Sequence, residues 1–354
     1  MKVVFLLPDM GFGGAERVVS IISKELVDLG HSVDIVCLYG SRVQYEVFDS
    51  VKVLDFSKYN TDLYHRIIHL HKYLRSEKKI YHQVVAVAFQ ASCLNSVLFA
   101  SVFTGVRVVS TERSNPYKKG TSAISRLRAS IPFLLSDLGV FQTNDARAYY
   151  HLMPDKKSVV ISNPITPSSI SWKHNLTPSG IISVCRLHPG KNLKMSFDAI
   201  ARLKPKYPNI HLDVFGAGNI EGELKEQVKD LELEENISFK GNTNRVLEEL
   251  SQHSVYISTS NYEGVSNSML EAMSVGMPIV CTDCPIGGAK MMLEDNCGLL
   301  SPVGDVDGFV EKLDYVLSHP QQALIMADNA RNKTIKYSPQ NVAKEWERVL
   351  TNLF

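Results

Sequence analysis

The sequence predicts an α/β protein made of two domains, each built on a doubly wound parallel sheet. Three observations lead to this prediction. The chain has 354 residues, which is more than a single hydrophobic core usually serves. Short apolar runs alternate with amphipathic segments, which is typical of parallel strands joined by helices. A stretch rich in proline and serine, residues 163–179, interrupts this alternation near the middle of the chain.

The first half of the chain contains a series of predicted strands and a well-defined first helix. Residues 3–7 form a short apolar run, and the amphipathic segment 15–29 that follows ends at Gly30. Further apolar runs lie at residues 33–38, 84–89, 106–110 and 140–142. Buried runs separated by helices predict a parallel sheet that is covered on both faces.

The second half repeats the pattern after the proline- and serine-rich stretch. Its apolar runs lie at residues 181–185, 211–215, 237–239, 255–258 and 278–281. We therefore expect two Rossmann-like domains, an N-terminal one over residues 1–163 and a C-terminal one over residues 164–337. In such sheets a ligand binds outside the carboxyl ends of the strands. The sequence thus predicts functional residues in the strand-to-helix connections.

The composition is that of an ordinary globular protein, with 44% hydrophobic and 21% charged residues. The apolar start of the chain is too short for a secretory signal, and no apolar run approaches the length of a transmembrane helix. The six cysteines are scattered, which suits reduced thiols, and Cys281 and Cys284 lack the two further ligands that a zinc site needs. We therefore expect a cytoplasmic protein.

Charge is unevenly divided along the chain, although the net charge is only +1. Residues 1–165 contain 20 lysines and arginines against 14 acidic residues, a net charge of +6, whereas the remainder carries −5. This excess indicates that the first half meets an anionic partner. An uneven but merely solvated surface is the alternative interpretation.

The segment 262–273 carries the strongest functional signal. Seven residues separate its two glutamates, Glu263 and Glu271, and the second lies in a predicted helix bounded by Gly264 and Gly276. The first turn of that helix lacks acidic side chains, so its free backbone N–H groups suit a phosphate. The alternative interpretation is a solvated loop glutamate and an ordinary glutamate on a helix surface.

Five motifs occur together in one order along the chain. They are Glu263-x7-Glu271 with the following residues 272–280, Gly13-Gly14-Ala15-Glu16-Arg17, residues 185–192, Phe215-Gly216-Ala217-Gly218 and Asn163-Pro164-Ile165. Together they resemble the signature of the retaining family 4 glycosyltransferases of bacterial surface-glycan type, which have the GT-B fold. The resemblance covers essentially the whole chain. It implies an acceptor-binding first domain, a nucleotide-sugar-binding second domain across a central cleft, and a last helix over residues 338–354 packed on the first domain.

The resemblance also implies roles for individual residues. Arg186 and Lys191 would stabilise charge on the leaving diphosphate, and Glu263 would contact hydroxyls of the transferred sugar. Glu271 would bind the ribose hydroxyls. Close approach of backbone to the phosphates, ribose or base is expected at Gly13, Gly14, Gly216, Gly218, Gly264, Val265 and Ser266. The donor would be a nucleotide sugar, and no other cofactor and no metal would be required.

Two departures from the family pattern bear on the substrate. Cys185 stands where glycine is usual, which narrows the approach to the phosphates. Residues 111–116, Thr-Glu-Arg-Ser-Asn-Pro, replace a loop in which many relatives carry a histidine near the donor sugar. Glu112, Arg113 and Asn115 are therefore candidate substrate or acceptor contacts. Similar loops in bacterial relatives favour transfer of a hexose or N-acetylhexosamine from UDP to a glycan or lipid-linked acceptor.

Other classes of protein fit these residues less well. Residues 216–218 begin like a dinucleotide fingerprint, but Glu221 stands where the third glycine belongs, which argues against a nicotinamide oxidoreductase. A GT-B-fold UDP-sugar epimerase and a non-catalytic sugar-nucleotide-binding relative are the alternatives to a transferase. Asp305-Val306-Asp307 superficially resembles a metal-binding motif, but its place before a helix predicts capping.

Two apolar stripes in the first domain predict contact with an anionic membrane surface. They comprise Leu63, Ile67, Leu70 and Leu74, near Arg66, Lys72, Arg75, Lys78 and Lys79, and Ile124, Leu127, Ile131 and Leu134, near Lys118, Lys119, Arg126 and Arg128. Apolar stripes beside cations suit such an interface. Pro132 is expected to kink or end the second helix. The alternative, which is favoured for the first stripe, is that both cover the sheet. We expect peripheral attachment to the inner face of the plasma membrane and no nucleic acid partner.

Overall fold

The computed structural model describes residues 1–11, 13–58, 62–173 and 176–354, with the Lys118 side chain excepted. The chain forms two compact units. The first unit comprises Met1–Pro164 and Pro339–Phe354, and the second comprises Ile165–Ser338. Each unit is built around one parallel sheet.

The first unit contains strands β1 to β7, helices α1 to α5 and the returning helix α13. The strands are β1 Lys2–Leu7, β2 Ser32–Cys37, β3 Lys52–Asp55, β4 Val84–Ala88, β5 Arg107–Glu112, β6 Leu138–Phe141 and β7 Ser158–Val160. The helices are α1 Gly14–Asp28, α2 Leu63–Ile80, α3 Leu94–Ser101, α4 Ala123–Leu134, α5 Asn144–Tyr149 and α13 Pro339–Thr351.

The second unit contains strands β8 to β13 and helices α6 to α12. The strands are β8 Ile181–Val184, β9 Leu212–Phe215, β10 Ile237–Gly241, β11 Val255–Ser258, β12 Ile279–Asp283 and β13 Leu299–Pro302. The helices are α6 Leu193–Leu203, α7 Glu221–Asp230, α8 Val246–Gln252, α9 Asn267–Val275, α10 Gly288–Leu293, α11 Val306–Ser318 and α12 Pro320–Thr334.

The strand order places a topological switch point in each sheet. The first sheet runs β3-β2-β1-β4-β5-β6-β7 and the second runs β10-β9-β8-β11-β12-β13. The order reverses between β1 and β4 in the first sheet and between β8 and β11 in the second. Ligands of doubly wound sheets bind outside the carboxyl ends of strands at such points. We therefore expect functional residues in the loops that follow these four strands.

Helix α13 returns to the first unit and packs on its core. Trp346 is fully buried, and its ring centre lies 6.2 Å from that of Phe5 and 6.0 Å from that of Phe89. Near one end of the helix, Glu347 Oε1 lies 2.9 Å from Nε2 of His31. The core of the first unit is thus completed by residues that follow the whole second unit in the chain.

The two predicted apolar stripes have different surroundings. On α2, Leu70 and Leu74 are fully buried, as the alternative interpretation held, whereas Leu63 at the start of the helix is 53% exposed. On α4, Ile124, Leu127 and Ile131 are 65%, 47% and 48% exposed. Helix α4 ends two residues after its internal proline, and Leu135, which follows the helix, is 69% exposed. The second stripe therefore faces outward. Among the described residues, no helix has the length and apolar character needed to cross a bilayer.

Candidate active site

The loops after β8 and β9 run side by side beyond the ends of their strands. The Leu187 N–H donates to the Ala217 carbonyl at 3.0 Å, which continues the ladder between the strands. A Cβ atom on Gly216 would lie 1.8 Å from the Cys185 oxygen, and one on Gly218 would lie 1.9 Å from the Leu187 oxygen. Both positions therefore need glycine because two backbones approach closely. A direct role of these two glycines at a ligand stays a prediction.

The loop after β8 is fastened to the loop after β11. The His188 side chain accepts a hydrogen bond from the Gly190 N–H at 3.0 Å, which forms a tight turn. Asn192 adopts the left-handed conformation with φ +48° and donates through its amide to Asn261 at 3.0 Å. Thr259 donates to the Asn192 carbonyl at 2.9 Å. These contacts hold the two loops in a fixed relation.

This arrangement brings together two of the residues identified from the sequence. The Lys191 ammonium donates to Oε2 of Glu263, and each side chain keeps about a quarter of its surface exposed, 23% and 25%. Burial alone would lower the pKa of Lys191, but the Glu263 carboxylate raises it above its usual value. Lys191 therefore stays charged near neutral pH. The pair presents a cation whose counter-ion is already in place.

Arg186 lies in the same loop and differs from Lys191 in having no fixed partner. Its side chain is exposed. Its guanidinium makes no hydrogen bond or ion pair with any residue that the structure describes. A free guanidinium presents a planar fork that matches phosphate oxygens. The loop after β8 thus offers one paired cation and one free cation to an anionic ligand.

The start of α9 forms the third part of the site. The Ser266 hydroxyl caps the helix, and the neighbouring Val265 side chain is buried. A Cβ atom on Gly288 would lie 1.7 Å from the Gly264 oxygen, so the loop before α9 rests directly on α10. Glu271 lies in the second turn of α9 and is half-buried. The sequence-predicted helix is confirmed, and no acidic residue occupies its first turn.

In the first unit, the start of α1 already holds a carboxylate. A Cβ atom on Gly13 would lie 2.0 Å from Oε2 of Glu16, and Gln90 donates to the other oxygen of Glu16 at 2.7 Å. This carboxylate occupies the positive end of the helix that Gly14 begins. The expected approach of Gly13 and Gly14 to a diphosphate stays a prediction, and it requires Glu16 to share that position.

Glu112 is buried after β5 and both its carboxylate oxygens are engaged. One oxygen accepts from the N–H and the hydroxyl of Ser114, at 3.1 and 2.8 Å. The other accepts from Lys119 at 2.6 Å and from the Tyr150 hydroxyl at 2.5 Å. Burial and this carboxylate raise the pKa of Tyr150, which therefore remains a neutral donor. Glu112 organises the loop that follows β5, and a direct contact with substrate stays a prediction.

Arg113 lies between two aromatic rings in the first unit. Its guanidinium carbon is 4.5 Å from the Phe89 ring centre and 5.5 Å from that of Trp346. One terminal nitrogen donates weakly to the Ile161 carbonyl at 3.3 Å and to the Asn163 side chain at 3.4 Å. Burial lowers the pKa of Arg113 to about 9, against the opposing effect of Glu112. The group is still mainly charged at neutral pH.

Asn115 has a local structural role. Its side-chain oxygen accepts from the Tyr117 N–H at 2.9 Å and caps the short 3-10 turn Pro116–Lys119. Glu112, Arg113 and Asn115 were predicted from the sequence as substrate or acceptor contacts. Lys119 and Tyr150, which bind Glu112, were not predicted. A lysine and a tyrosine distant in sequence carry no signal of their own until the fold joins them to one carboxylate.

Two residue sets that could have suggested metal chemistry have other roles. Oδ1 of Asp305 accepts from the Gly308 N–H at 2.9 Å, so the predicted capping of α11 is confirmed. Cys281 and Cys284 are buried free thiols, and burial raises the pKa of Cys284 to about 11. In the part of the chain that the structure describes, no group of three or more metal-ligating side chains is found.

Two family models match the chain in succession. The model described as Glycosyltransferase Family 4 matches residues 12–169. The model described as Glycosyl transferases group 1 matches residues 166–333. The two matches overlap at residues 166–169. Together they span both units, the loops after β8 and β9, and the segment that carries Glu263 and Glu271.

Individual proteins support the same assignment. An uncharacterized glycosyltransferase of Haemophilus influenzae is 25% identical over 352 residues, which is 99% of each chain. A Campylobacter jejuni 4-alpha-N-acetylgalactosaminyltransferase, named for a diphospho-undecaprenol-linked acceptor, is 24% identical and covers 97% of this chain and 98% of its own.

Solved structures share the fold. An Anabaena protein crystallised with UDP and glucose superposes with a TM-score of 0.80 at 17% identity, over 99% of each chain. A Staphylococcus aureus protein crystallised with fondaparinux, α-GlcNAc-glycerol and UDP gives a TM-score of 0.81 at 15% identity, also over 99% of each chain. The solved structures and the two parallel sheets thus show the GT-B fold, and the two family models, which together cover residues 12–333, identify the chain as a glycosyltransferase of family 4.

Proposed function

We propose that the protein is a retaining glycosyltransferase that moves a hexose or an N-acetylhexosamine from a UDP-sugar to a glycan or lipid-linked acceptor in polysaccharide or glycoconjugate biosynthesis. The observation that carries this proposal is the grouping of Arg186, Lys191 and Glu263 on two joined loops at the switch point of the second sheet. Two cations suit a diphosphate leaving group, and a carboxylate beside them suits the hydroxyls of a sugar.

In this proposal the protein mainly stabilises charge while the bond between the sugar and UDP breaks. The free Arg186 fork and the Lys191 ammonium neutralise the leaving diphosphate, and Glu271 accepts hydrogen bonds from the ribose. Glu263 holds Lys191 in place before the donor arrives and contacts the transferred sugar afterwards. No metal is required in this scheme, since the two cations and the backbone N–H groups near Ser266 supply the positive charge.

The relatives support the choice of donor and acceptor. The two solved structures with the same fold were crystallised with UDP. The Campylobacter relative is named for transfer of N-acetylgalactosamine to a diphospho-undecaprenol-linked sugar. A Staphylococcus aureus relative, 25% identical over 175 residues, is named for transfer of N-acetylglucosamine to poly(ribitol phosphate). Both named relatives transfer an N-acetylhexosamine to an acceptor that contains phosphate groups. We extend that class of acceptor to this chain, with retention of the α configuration.

The test is turnover with a panel of UDP-sugars and a lipid-linked acceptor, with NMR assignment of the product. Arg186→Ala and Lys191→Ala should each lower turnover by roughly 10²–10³-fold, because each stabilises charge that grows in the transition state. Lys194→Ala is the matched control, since Lys194 is an exposed lysine of the neighbouring helix α6. Turnover that survives both substitutions, or a β-linked product from an α-linked donor, would contradict the proposal.

We further propose that α4 rests on an anionic membrane. Ile124, Leu127, Ile131 and Leu135 leave an outward apolar stripe along this helix. Of the cations near it, Arg126 caps α5 by donating to backbone carbonyls, and Lys119 is bound to Glu112. The apolar stripe rather than those two cations is therefore the part available to lipid.

Co-sedimentation with anionic liposomes tests this proposal. Ile124→Gln combined with Ile131→Gln should reduce binding strongly, because each substitution removes an exposed apolar side chain without touching the core. Ile325→Gln, an equally exposed isoleucine of the second unit, is the control and should bind like the natural protein. Equal binding of all three proteins would exclude α4 as the membrane contact.

A further inference from the structure

Among the described residues, Arg113 and the charged groups beside it together carry one more positive charge than negative charge. Among the charged groups of the described residues, Glu112 is the one that raises the pKa of Arg113. That carboxylate is already neutralised by Lys119, whose ammonium lies 2.6 Å away. Two cations therefore share one anion at this edge of the first sheet. A buried cation without a counter-ion is unfavourable by several kcal/mol, roughly.

The same guanidinium has unused hydrogen-bonding capacity. Nε and one terminal nitrogen of Arg113 are buried and have no hydrogen-bond partner among the residues that the structure describes. The ring centre of Trp346 lies 5.5 Å from the guanidinium carbon, and its indole N–H is also buried and finds no partner in the described part of the chain. All these groups are donors. These donors and the positive charge beside them would be satisfied by one kind of ligand group. That group carries negative charge and only accepts hydrogen bonds.

The position of the guanidinium is fixed by other contacts. Phe89 and Trp346 lie against it, and the bonds to Ile161 and Asn163 use only its other terminal nitrogen. The loop that follows Arg113 is held on Glu112 by polar contacts of Ser114 and Lys119, both on the surface. An anion can therefore reach the free edge of the guanidinium when this polar loop shifts, while the aromatic rings keep the group in place.

We propose that Arg113 forms an anion-binding site in the first unit and that its occupant is a phosphate or carboxylate group carried by the acceptor. This deepens the proposed function, because it adds a charged group to the acceptor class. A lipid-linked diphosphate and an acidic glycan both supply the required chemistry. A bidentate pair between the guanidinium and such a group would also satisfy both unpartnered nitrogens of Arg113.

The test uses the two tryptophans of the chain as reporters. In protein labelled with 5-fluorotryptophan, Trp172 and Trp346 give two fluorine NMR signals, and Trp172→Phe assigns them. Pyrophosphate is then titrated at constant ionic strength. The Trp346 signal should shift saturably in the natural protein and in Lys191→Met, which weakens the proposed donor site. The shift should weaken at least about tenfold in Arg113→Gln, because the charged fork is lost.

Arg75→Gln is the matched control, since Arg75 is an exposed arginine of the same unit, and it should keep the full response. If Arg113→Gln fails to fold, Arg113→Lys serves in its place, because it keeps the charge and removes the fork. A short-chain polyprenyl diphosphate and a uronic acid, titrated in the same way, distinguish the two sources of the anion.

The outcomes separate this inference from the proposed function. A response that disappears in Lys191→Met and survives in Arg113→Gln assigns the anion to the second unit and overturns the inference. Absence of any saturable Trp346 shift overturns it too and indicates that water fills the space beside Arg113. Neither result depends on turnover, so a failure of the transferase assay leaves this test intact.

Discussion

Lys191 and Glu263 neutralise each other before any ligand binds. A diphosphate that binds Lys191 must therefore compete with a carboxylate that is already in contact with it. Arg186 has no such competitor among the described residues. The two cations thus differ in function: Arg186 is available for first capture of an anion, whereas Lys191 exchanges one partner for another. If Glu263 competes with the diphosphate for Lys191, its removal should affect UDP binding and turnover in opposite directions.

Glu263→Gln should bind UDP more tightly than the natural protein while turning over more slowly. Removal of the competing charge strengthens the attraction of Lys191 for the diphosphate, and loss of the carboxylate weakens contact with the sugar. An exchange worth on the order of 1 kcal/mol changes affinity about fivefold. Calorimetric titration of UDP measures it. Weaker or unchanged UDP binding would show that Glu263 does not act as the counter-ion.

Glu271→Gln should lose roughly 10²-fold in turnover with the fold intact. The substitution is nearly isosteric and removes only the charged acceptor for ribose hydroxyls, which contributes about 2–3 kcal/mol. Steady-state kinetics with a saturating acceptor, alongside circular dichroism, is the measurement. A folded variant with near-natural turnover would remove Glu271 from the donor site.

The elements of the second unit are joined by a titratable contact between β9 and α8. Asp213 on β9 lies 3.0 Å from Nε2 of His253, which follows α8, and also contacts Lys240 and His211. The other ring nitrogen of His253 donates to the Glu249 carbonyl at 2.6 Å. Burial lowers the pKa of His253, but the bond to Asp213 outweighs burial and raises it above 6.5. The pKa of Asp213 is lowered, despite the opposing effect of burial.

This contact makes the stability of the second unit depend on pH. The stabilisation from His253 is complete below its unfolded pKa of about 6.5 and is lost as pH rises through its higher folded pKa. Asp213 stays ionised throughout this window, because its folded pKa lies below 3.8. As pH is raised from about 6 to about 8, the urea concentration at the unfolding midpoint should therefore decrease more in the natural protein than in His253→Gln. Parallel midpoints over that range would contradict it.

Among the secondary-structure elements, the strands that the sequence predicted are mostly the buried ones. Every predicted strand is present within two residues of its expected bounds. Strands β3, β7 and β13 were not predicted, and each lies at the edge of a sheet. Their side chains are only partly buried, so they lack the continuous apolar run that marks a central strand. For the stripe on α2, the burial of Leu70 and Leu74 agrees with the interpretation favoured from the sequence, that this stripe packs on the first unit. Periodicity alone does not show which side of a helix faces the core.

The site was predictable to the extent that short motifs carry it. Arg186, Lys191, Glu263 and Glu271 were predicted from local sequence, and the structure joins Lys191 to Glu263. Their roles at a ligand stay predictions. The backbone-packing role of Gly216 was not predicted, because it depends on a carbonyl from a different loop. The two buried nitrogens of Arg113 that have no partner among the described residues could not be predicted either, since this depends on what surrounds the group in three dimensions.

On the scale of the whole molecule, the chain passes from the first unit to the second and back. Trp346→Ala should destabilise the first unit by about 3–5 kcal/mol, because it leaves a large cavity beside Phe5 and Phe89. Amide hydrogen exchange should increase in β1, which contains Phe5, and in β4, which Phe89 follows. Exchange in β8 and β11 of the second unit is the internal reference. Equal increases in both units would indicate that their unfolding is coupled.

The return of α13 also affects the order in which the protein matures during synthesis. Residues 165–338 leave the ribosome before the helix that completes the first unit, so the second unit can fold while the first still lacks Trp346. Until that tryptophan emerges, Phe5 and Phe89 lack the ring that covers them in the folded unit, and the nascent first unit presents apolar surface to chaperones. A ribosome that stalls before residue 339 therefore leaves a chain with one complete half and one half open to degradation.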